Sequence, residues 1–233
     1  MKFFFSGADF LHSSTVDEWK KKTSKDIIQG YGLSETSPIT HVTPFDKVKA
    51  NSFGIPIPNT HAALIGIKDK EIINKIDTEG ELVINGPQVM QGYWKKEEEN
   101  KNAFIKINNE KWFRTGDLVK FDEDGYFYFV DRIKDIIKYK GYLVVPAEIE
   151  TLLYSHPKIR EAAVIGVPDP QVGETIKAVI VLNEETKVTT EEIKQWCKDK
   201  IAPYKIPKII EFKQELPKTI IGKVLRRKLR ESK

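Results

Sequence analysis

The sequence predicts an α/β protein made of two parts, a barrel-like β portion followed by a small compact α/β domain. Between residues 48 and 93, short apolar runs alternate with Gly, Pro and Asp, which is typical of antiparallel strands joined by turns. After residue 146, strand-length runs alternate with helix-length runs, which favours a mixed α/β unit. Charged residues cluster at 131–135, between the two patterns. We therefore expect domains at 1–130 and 136–233, joined by that cluster.

The composition excludes several classes of protein. The 233 residues suffice to bury a sizeable core, and 40% hydrophobic with 31% charged residues is an ordinary globular balance. A net charge of +4, from 38 basic and 34 acidic residues, is too even to argue for a nucleic-acid partner. Cys197 is the only cysteine, so no intrachain disulfide forms and a reducing compartment is expected. No apolar run is long enough to span a bilayer, and we expect a cytoplasmic protein.

In the first part, the elements follow from apolar runs and the residues that interrupt them. Phe3 to Phe5 predicts a buried strand, and a helix is expected to begin at Ser14 or Thr15. A strand at 26–29 should end sharply at Gly30-Tyr31-Gly32. Further strands are predicted at 62–65, 70–73 and 80–84, then a helix-prone stretch at 94–104 and a hairpin of 118–121 with 126–130.

A charged joint connects the two parts. Its four ionisable side chains cannot all be buried, because unpaired charges are costly to desolvate, so we expect the joint to be exposed. They are Asp131, Arg132, Lys134 and Asp135. Taken alone, the stretch predicts only a strand, a solvated loop and a second strand. A glycine turn at Gly141 follows, and Pro146 is placed to open a helix.

The second part continues as alternating helices and strands. Helices are predicted from Ala147, from Thr189 or Thr190, and, as a basic terminal helix, from Lys223. Strands are predicted at 162–167, 176–182 and 209–212.

The segment Gly30-Tyr31-Gly32-Leu33-Ser34-Glu35-Thr36 is a first candidate site. Glycines after a strand admit a ligand close to the backbone, Tyr31 offers a flat ring, Ser34 offers a hydroxyl, and Glu35 offers a hard oxygen for magnesium. The segment resembles the opening of a dinucleotide fingerprint but lacks its third glycine. By itself, such a segment is more often a turn than a site.

Two further positions are candidate binding residues. Asp117, beside Gly116, can accept hydrogen bonds from both hydroxyls of a ribose, although an aspartate that caps a turn is the alternative. Lys223 follows Gly222 at the expected start of the terminal helix, where a positive charge is unfavourable, and this suggests an anionic partner. The tail at 226–233 lacks aromatic residues, and we expect it to be a solvated basic surface.

The remaining reactive side chains are expected to be structural. The histidines lack the spacing of metal ligands or of a nucleophile's base; they are His12, His41, His61 and His156. Cys197 lies beside Trp196 in an amphipathic helix and is expected to pack in the core.

Together and in this order, these segments resemble the adenylate-forming (AMP-binding) superfamily, nearest the acyl-CoA synthetases, 4-coumarate–CoA ligases and beetle luciferases. The resemblance runs from Ser6-Gly7-Ala8 to Lys223 and the terminal helix, and it matches only the later half of such a protein. It implies that 1–130 is the C-terminal portion of the adenylation domain, that 136–233 is the C-terminal lid domain, and that Lys134 is the hinge.

The resemblance also implies roles for individual residues. Glu35 would bind Mg²⁺, Lys223 would bridge the acyl carboxylate and the α-phosphate, and Lys138 would enter the site for thioester formation. The residues implied to contact the nucleotide or CoA are Gly7, Ala8, Gly30, Tyr31, Gly32, Ser34, Asp117, Arg132 and Gly141. Ala8 departs from the glycine usual at its position.

The implied reaction is adenylation of a fatty or aryl acid by ATP, followed by thioester formation with CoA. ATP/AMP, Mg²⁺, CoA and a carboxylic acid are thus the expected ligands. The family's glycine- and threonine-rich phosphate loop does not occur in this sequence, so a missing N-terminal half is an expected partner. The chain alone should bind adenylate weakly and turn over little. Two alternatives stay open, an inactive nucleotide-binding or interaction fragment and a luciferase-like oxygenase.

Overall fold

The structure, a computed structural model, describes residues 3–7, 11, 13–184, 186–219, 222 and 224–231. The chain has the predicted mixed α/β architecture and divides into two compact units, residues 1–133 and 134–233. The interpretation of 131–135 as a hinge stays a prediction. Within the described ranges, no helix combines the length and the apolar character that crossing a membrane requires.

The described part of the first unit contains two sheets and two α-helices. The strands of the first sheet are β1 Phe4–Ser6, β2 Ile27–Gly32, β3 Ile39–Val42 and β4 Ile55–Pro56. They lie in the order β1-β2-β3-β4, with β1 parallel to β2 and the other pairs antiparallel. The helices are α1 Ser13–Thr23 and α2 Glu97–Ala103.

The second sheet is the barrel-like portion that the sequence predicts. Its strands are β5 His61–Ile65, β6 Ile72–Ile73, β7 Gly80–Asn85, β8 Phe104–Ile107, β9 Glu110–Phe121 and β10 Phe127–Arg132. All its neighbouring strands are antiparallel, in the order β10-β9-β7-β5-β6, with β8 on β9. Side chains from four strands form the core, together with Phe53: Leu64, Leu82, Ile84, Val119 and Phe127. Burial of each such side chain contributes about 1.5–3 kcal/mol.

Two expectations for the first unit are wrong. β1 is not buried, because it is an edge strand whose one neighbour among the described strands is β2; Phe3 and Phe5 are 58% and 55% exposed. The Gly30-Tyr31-Gly32 segment does not end a strand, since β2 continues through it. Antiparallel pairing with β3 places Tyr31 opposite His41 and thereby keeps the glycines extended.

The second unit is a five-stranded sheet with helices on both faces. Its strands are β11 Ile137–Tyr139, β12 Tyr142–Val144, β13 Ile159–Asp169, β14 Gly173–Leu182 and β15 Ile209–Phe212, and its helices are α3 Pro146–Tyr154, α4 Thr190–Cys197 and α5 Arg226–Glu231. The strand order is β12-β11-β14-β13, with β15 parallel to β14. The start of α4 is a capping box in which Thr189 Oγ1 accepts from the Glu192 N–H over 3.2 Å.

Alternate side chains along the central strands lie on opposite faces of the sheet and form two apolar layers. One layer packs with α3 and α4, and its members include Ala162, Val164, Ile176, Ala178, Ile180, Ile149, Ile193 and Cys197. The other packs with α5, and its buried members are Ala163, Ile165, Val179, Val181, Leu216 and Leu229. Cys197 is fully buried, which confirms its expected packing.

The charged joint is not exposed as expected. Of its four ionisable side chains, only Lys134 is exposed, whereas Asp131 and Asp135 are 2% and 9% exposed. The expectation failed because it treated these charges as unpaired. Asp131 Oδ1 accepts from the Arg132 N–H over 2.7 Å, and Asp135 Oδ1 lies 2.8 Å from Arg230 Nη2.

The basic tail also departs from its prediction. The terminal helix begins at Arg226, so Lys223 precedes it and the argument from the helix dipole does not apply. Leu229 is buried, and Arg226 Nη2 lies 2.7 Å from Glu150 Oε2. The helix is therefore docked on the sheet through Leu229 and Arg226, while the basic residues Arg227, Lys228 and Arg230 are exposed as expected.

Candidate active site

Tyr31, Asp117 and Arg132 meet in the first unit. The Tyr31 hydroxyl donates to Asp117 Oδ2 over 2.6 Å, although the two residues are 86 positions apart. Arg132 faces Asp117 across the β9–β10 pair, and its Nε lies 2.8 Å from Asp117 Oδ1. The Asp117 N–H donates to Thr115 Oγ1, which in turn donates to the carbonyl of Leu82. Three candidate residues are thus brought together around one carboxylate.

Electrostatic compensation explains how this carboxylate is buried. Asp117 is 0% exposed, and a buried charge without partners would be strongly destabilising. Arg132 supplies the opposite charge, and Tyr31 supplies a hydrogen bond. Burial of the Tyr31 hydroxyl raises its pKa well above the usual value, and the adjacent Asp117 charge raises it further. Tyr31 is therefore a hydrogen-bond donor at neutral pH.

One face of the Tyr31 ring is already in contact with protein. The ring stacks on Phe53 at a centroid distance of 4.5 Å, and it makes a T-shaped contact with His41 at a centroid distance of 5.8 Å. An adenine could therefore stack only on the opposite face. His41 is fully buried, and Thr40 Oγ1 lies 2.9 Å from its Nδ1. No residue in the described ranges bonds its Nε2, and burial lowers the pKa of His41 to about 3.

The glycines of the candidate segment are needed for packing within the protein. A Cβ on Gly32 would lie 1.6 Å from the Pro38 carbonyl oxygen, and one on Gly30 would lie 2.3 Å from Phe5 Cζ. The space that the sequence suggested for a ligand is at these two positions filled by the protein. Gly7 lies just after β1, whereas Ala8 is outside the described residues.

Glu35 is held by a residue that the sequence did not suggest. It lies in a 3₁₀ turn, Ser34–Thr36, and its Oε1 accepts from the Tyr93 hydroxyl over 2.8 Å. The Met90 N–H donates to the Glu35 carbonyl over 2.8 Å. No spacing pattern links Tyr93 to Glu35, because they are 58 positions apart.

Glu35 fits a Mg²⁺ site in which substrate phosphates supply most of the other ligands. Such a site needs one or two carboxylates from the protein. Among the residues that the structure describes, none donates a hydrogen bond to Glu35 Oε2, and no cluster of three His, Cys, Asp or Glu side chains could hold a metal. Glu35 is thus the carboxylate within the candidate segment Gly30–Thr36, and exposed Ser34 lies beside it.

In the second unit, Lys138 lies in β11 and Gly141 in the tight turn after it, and the segment from one to the other is named the Lys138–Gly141 turn. Lys140 and Gly141 connect β11 to β12 with φ values of 49° and 81°, a two-residue hairpin turn that favours glycine. Lys138 and Lys140 are exposed. Lys134 is the first residue of this unit, and Lys223 lies outside the described residues.

Comparison with known proteins gives consistent results. The family model for AMP-binding enzymes matches residues 1–94, and the model for the AMP-binding enzyme C-terminal domain matches residues 148–223. A long-chain-fatty-acid–CoA ligase of Bacillus subtilis is 43% identical over 99% of this chain and 40% of its own length. The corresponding ligase of Escherichia coli O157:H7 is 39% identical over 93% of this chain and 37% of its own length.

Solved structures show the same relationship. ATP-bound MatB from Rhodopseudomonas palustris matches 98% of this chain and 45% of its own chain, with a TM-score of 0.91 and 31% identity. The o-succinylbenzoate CoA synthetase MenE from Bacillus subtilis, in complex with the acyl-adenylate OSB-AMP, matches 98% of this chain and 46% of its own, with a TM-score of 0.81 and 29% identity. The chain spans about 40% of the length of the curated relatives named above. On these matches, which extend through both units, the chain belongs to the adenylate-forming superfamily of AMP-binding enzymes.

Proposed function

We propose that this chain is the C-terminal part of an AMP-forming acyl-CoA synthetase that acts on a fatty or aryl acid. The names of the relatives support a ligase of this kind. The observation that carries the proposal is the buried Asp117 carboxylate between Tyr31 and Arg132, in the segment that the family resemblance assigns to the ribose.

In the first half-reaction, the carboxylate of the acid attacks the α-phosphate of ATP and pyrophosphate leaves. Two anionic groups must approach each other, so positive charge placed in advance lowers the barrier. Bound Mg²⁺ would supply Lewis-acid stabilisation of the phosphate charge. Glu35 is the residue proposed to hold it, and the Tyr93 hydroxyl orients the Glu35 carboxylate. Lys223 is proposed to bridge the acyl carboxylate and the α-phosphate.

Ribose binding at Asp117 requires movement of a group that shields its buried carboxylate from solvent. Both carboxylate oxygens are engaged, one by Tyr31 and one by Arg132. The Tyr31 ring packs on Phe53, whereas the Arg132 side chain is 38% exposed. We infer that Arg132 moves aside and that a ribose hydroxyl then donates to Asp117 Oδ1.

In the second half-reaction, the CoA thiol attacks the acyl carbonyl and AMP leaves. The Lys138–Gly141 turn is proposed to enter the site for this step, and the backbone near Lys134 is proposed to be the pivot. The exposed side chains of Lys138 and Lys140 make the turn accessible to an anionic substrate.

Nucleotide binding tests the proposal on the chain itself. Calorimetric titration with AMP should show weak binding that falls at least about tenfold, or about 1.4 kcal/mol, in Asp117→Ala. Asp124→Ala removes an aspartate from the exposed hairpin turn and should leave binding unchanged. AMP analogues that lack the 2′- or 3′-hydroxyl should bind the unsubstituted chain more weakly than AMP. Equal affinity for AMP and for both deoxy analogues would contradict the assignment of Asp117 to the ribose.

A nucleotide-binding fragment without catalysis is the second candidate. It is favoured by the limited span of the chain, about 40% of its relatives, and by the lack of a phosphate loop in the sequence. Lys223→Ala in the complete synthetase should abolish adenylation and spare thioester formation from supplied acyl-AMP. If the unsubstituted protein already lacks both adenylation and thioester formation, the second candidate, a binding module without catalysis, is supported instead.

A further inference from the structure

The Lys138–Gly141 turn has few attachments to the rest of its sheet. β11 is three residues long, and its register with β14 consists of one pair, Tyr139 with Gly173. The Lys140 N–H donates to the Val172 carbonyl over 2.8 Å. Ile137 and Tyr139 are buried in the core and anchor β11, so a further backbone contact would mainly restrain the exposed residues of the turn.

Glu174 supplies that contact from β14. Its Oε2 accepts a hydrogen bond from the Lys138 N–H over 2.7 Å. An ionised acceptor makes such a bond shorter and stronger than a neutral carbonyl does. The Glu174 carboxylate thus bonds the backbone of Lys138 and not its side chain, and Lys138 is exposed.

Gly166 provides the space in which the Glu174 carboxylate lies. Along β13, Ala162 and Val164 send side chains into the layer that packs with α3 and α4, and Gly166 is the next residue on that face. A Cβ on Gly166 would lie 2.7 Å from Glu174 Oε1. The φ of Gly166 is not in the left-handed region, so a methyl group added here would displace the Glu174 carboxylate rather than strain the backbone.

We propose that Glu174, seated over Gly166, is a positioning residue that fixes the Lys138–Gly141 turn for thioester formation. This inference rests on the proposed function, because the turn matters only if it enters the site in the second half-reaction. Glu174 contacts a backbone N–H and none of the reacting atoms, so its effect is exerted through the turn.

The two half-reactions of the complete synthetase provide the test. Glu174→Ala and Gly166→Ala should slow single-turnover thioester formation from supplied acyl-AMP and CoA by about tenfold or more. ATP–pyrophosphate exchange should stay within about twofold of the unsubstituted enzyme, because adenylation does not use the turn. Glu174→Gln keeps an oxygen acceptor and should recover most of the thioester rate. Glu184→Ala, at an exposed glutamate beyond the end of β14, is the matched control and should change neither rate.

Amide hydrogen exchange gives a readout that does not depend on activity. In Glu174→Ala, exchange at Lys138 should accelerate while the urea midpoint of the second unit changes little. Normal thioester formation, an equal loss of both half-reactions, or unchanged exchange at Lys138 would each overturn the role of Glu174. Absence of thioester formation in the unsubstituted synthetase would instead overturn the proposed function, and this role with it.

Discussion

Asp117 is a residue at which structure and proposed chemistry make opposing demands. Its carboxylate is excluded from solvent, so the fold must compensate the charge with Arg132 and Tyr31. A ribose-binding carboxylate must nevertheless become available to a ligand. The two demands are compatible because the partners differ in exposure, with the Tyr31 ring packed in the core and Arg132 partly in solvent.

Removing the Tyr31 hydroxyl should therefore destabilise the first unit. Tyr31→Phe keeps the stacking on Phe53 but leaves Asp117 Oδ2 without its donor. The expected loss in free energy of unfolding is about 1–3 kcal/mol, measured by urea titration. Tyr128→Phe is the matched control, since its hydroxyl donates to the more exposed Asp122 over 2.8 Å, and it should cost less than about 1 kcal/mol. Equal losses of free energy of unfolding in the two variants would contradict the view that the burial of Asp117 makes its hydrogen bond more important.

His41 should make stability depend on pH. Burial lowers its folded-state pKa to about 3, whereas the unfolded value is about 6.5. Between these values the unfolded chain takes up a proton that the folded chain does not, so stability falls as pH falls below about 6.5. The loss from this group approaches about 1.4 kcal/mol per pH unit.

The slope between about pH 6.5 and 5 contains little contribution from carboxylates, because most of them titrate lower. Burial also lowers the pKa of His156, which adds to the slope with the same sign, so the difference between the variant and the unsubstituted chain reports His41. His41→Phe retains an aromatic ring beside Tyr31 and Phe53 but cannot be protonated. Urea titrations across this window should show a flatter dependence of stability on pH in the variant. An unchanged slope would mean that His41 is protonated in the folded state.

At the level of single elements, α5 shows how tertiary contacts stabilise a helix that is too short to form alone. It contains six residues, below the length at which isolated helices persist in water. Leu229 is buried against the sheet, Arg226 pairs with Glu150 and Asp135, and Arg230 pairs with Asp135. These contacts also fix the chain three residues after Lys223.

Arg226→Ala should consequently destabilise the second unit. Glu150 and Asp135 both lose a partner while they stay mostly buried, and the expected cost is about 1–3 kcal/mol in urea unfolding. The adjacent Arg227 is the matched control: its side chain is 88% exposed and pairs with Glu231 on the same helix. Arg227→Ala should change stability by less than about 0.5 kcal/mol. Similar effects from the two variants would show that α5 is held by Leu229 alone.

For the whole molecule, the two compact units each have their own core. Their interpretation as a large-domain portion and a lid stays a prediction. The chain spans about 40% of the relatives it matches, and the sequence has no phosphate loop. Chemistry that needs the complete site is therefore not expected from this chain alone.

ATP–pyrophosphate exchange by the isolated chain should accordingly stay near background. Supplying the N-terminal portion on a second polypeptide or in one longer chain should restore exchange, because it returns the phosphate loop. The measurement is radiolabelled pyrophosphate incorporation with a fatty acid as substrate, with Asp117→Ala as the inactive reference. Robust exchange by the unsupplemented chain would contradict the need for the missing half.

Local features could be predicted from the sequence because they depend on neighbouring residues. The start of α4 at Thr189 or Thr190, the Gly141 turn and most strands of both units were predicted from runs of a few residues. Asp117, Tyr31 and Glu35 were also singled out locally, but not their contacts. Tyr93 was missed because its partner Glu35 lies 58 positions away.

By itself, the sequence determined the α/β character of the protein, the change in pattern near 131–135, and the residue types of the candidate site. Only the tertiary structure decided which charges are buried and which aromatic residues are exposed. Asp135 is buried because Arg226 and Arg230 reach it from the other end of its unit, and Phe5 is exposed because its strand lies at a sheet edge. Such outcomes depend on partners remote in sequence, and pairing across the fold determines whether a charge can leave water.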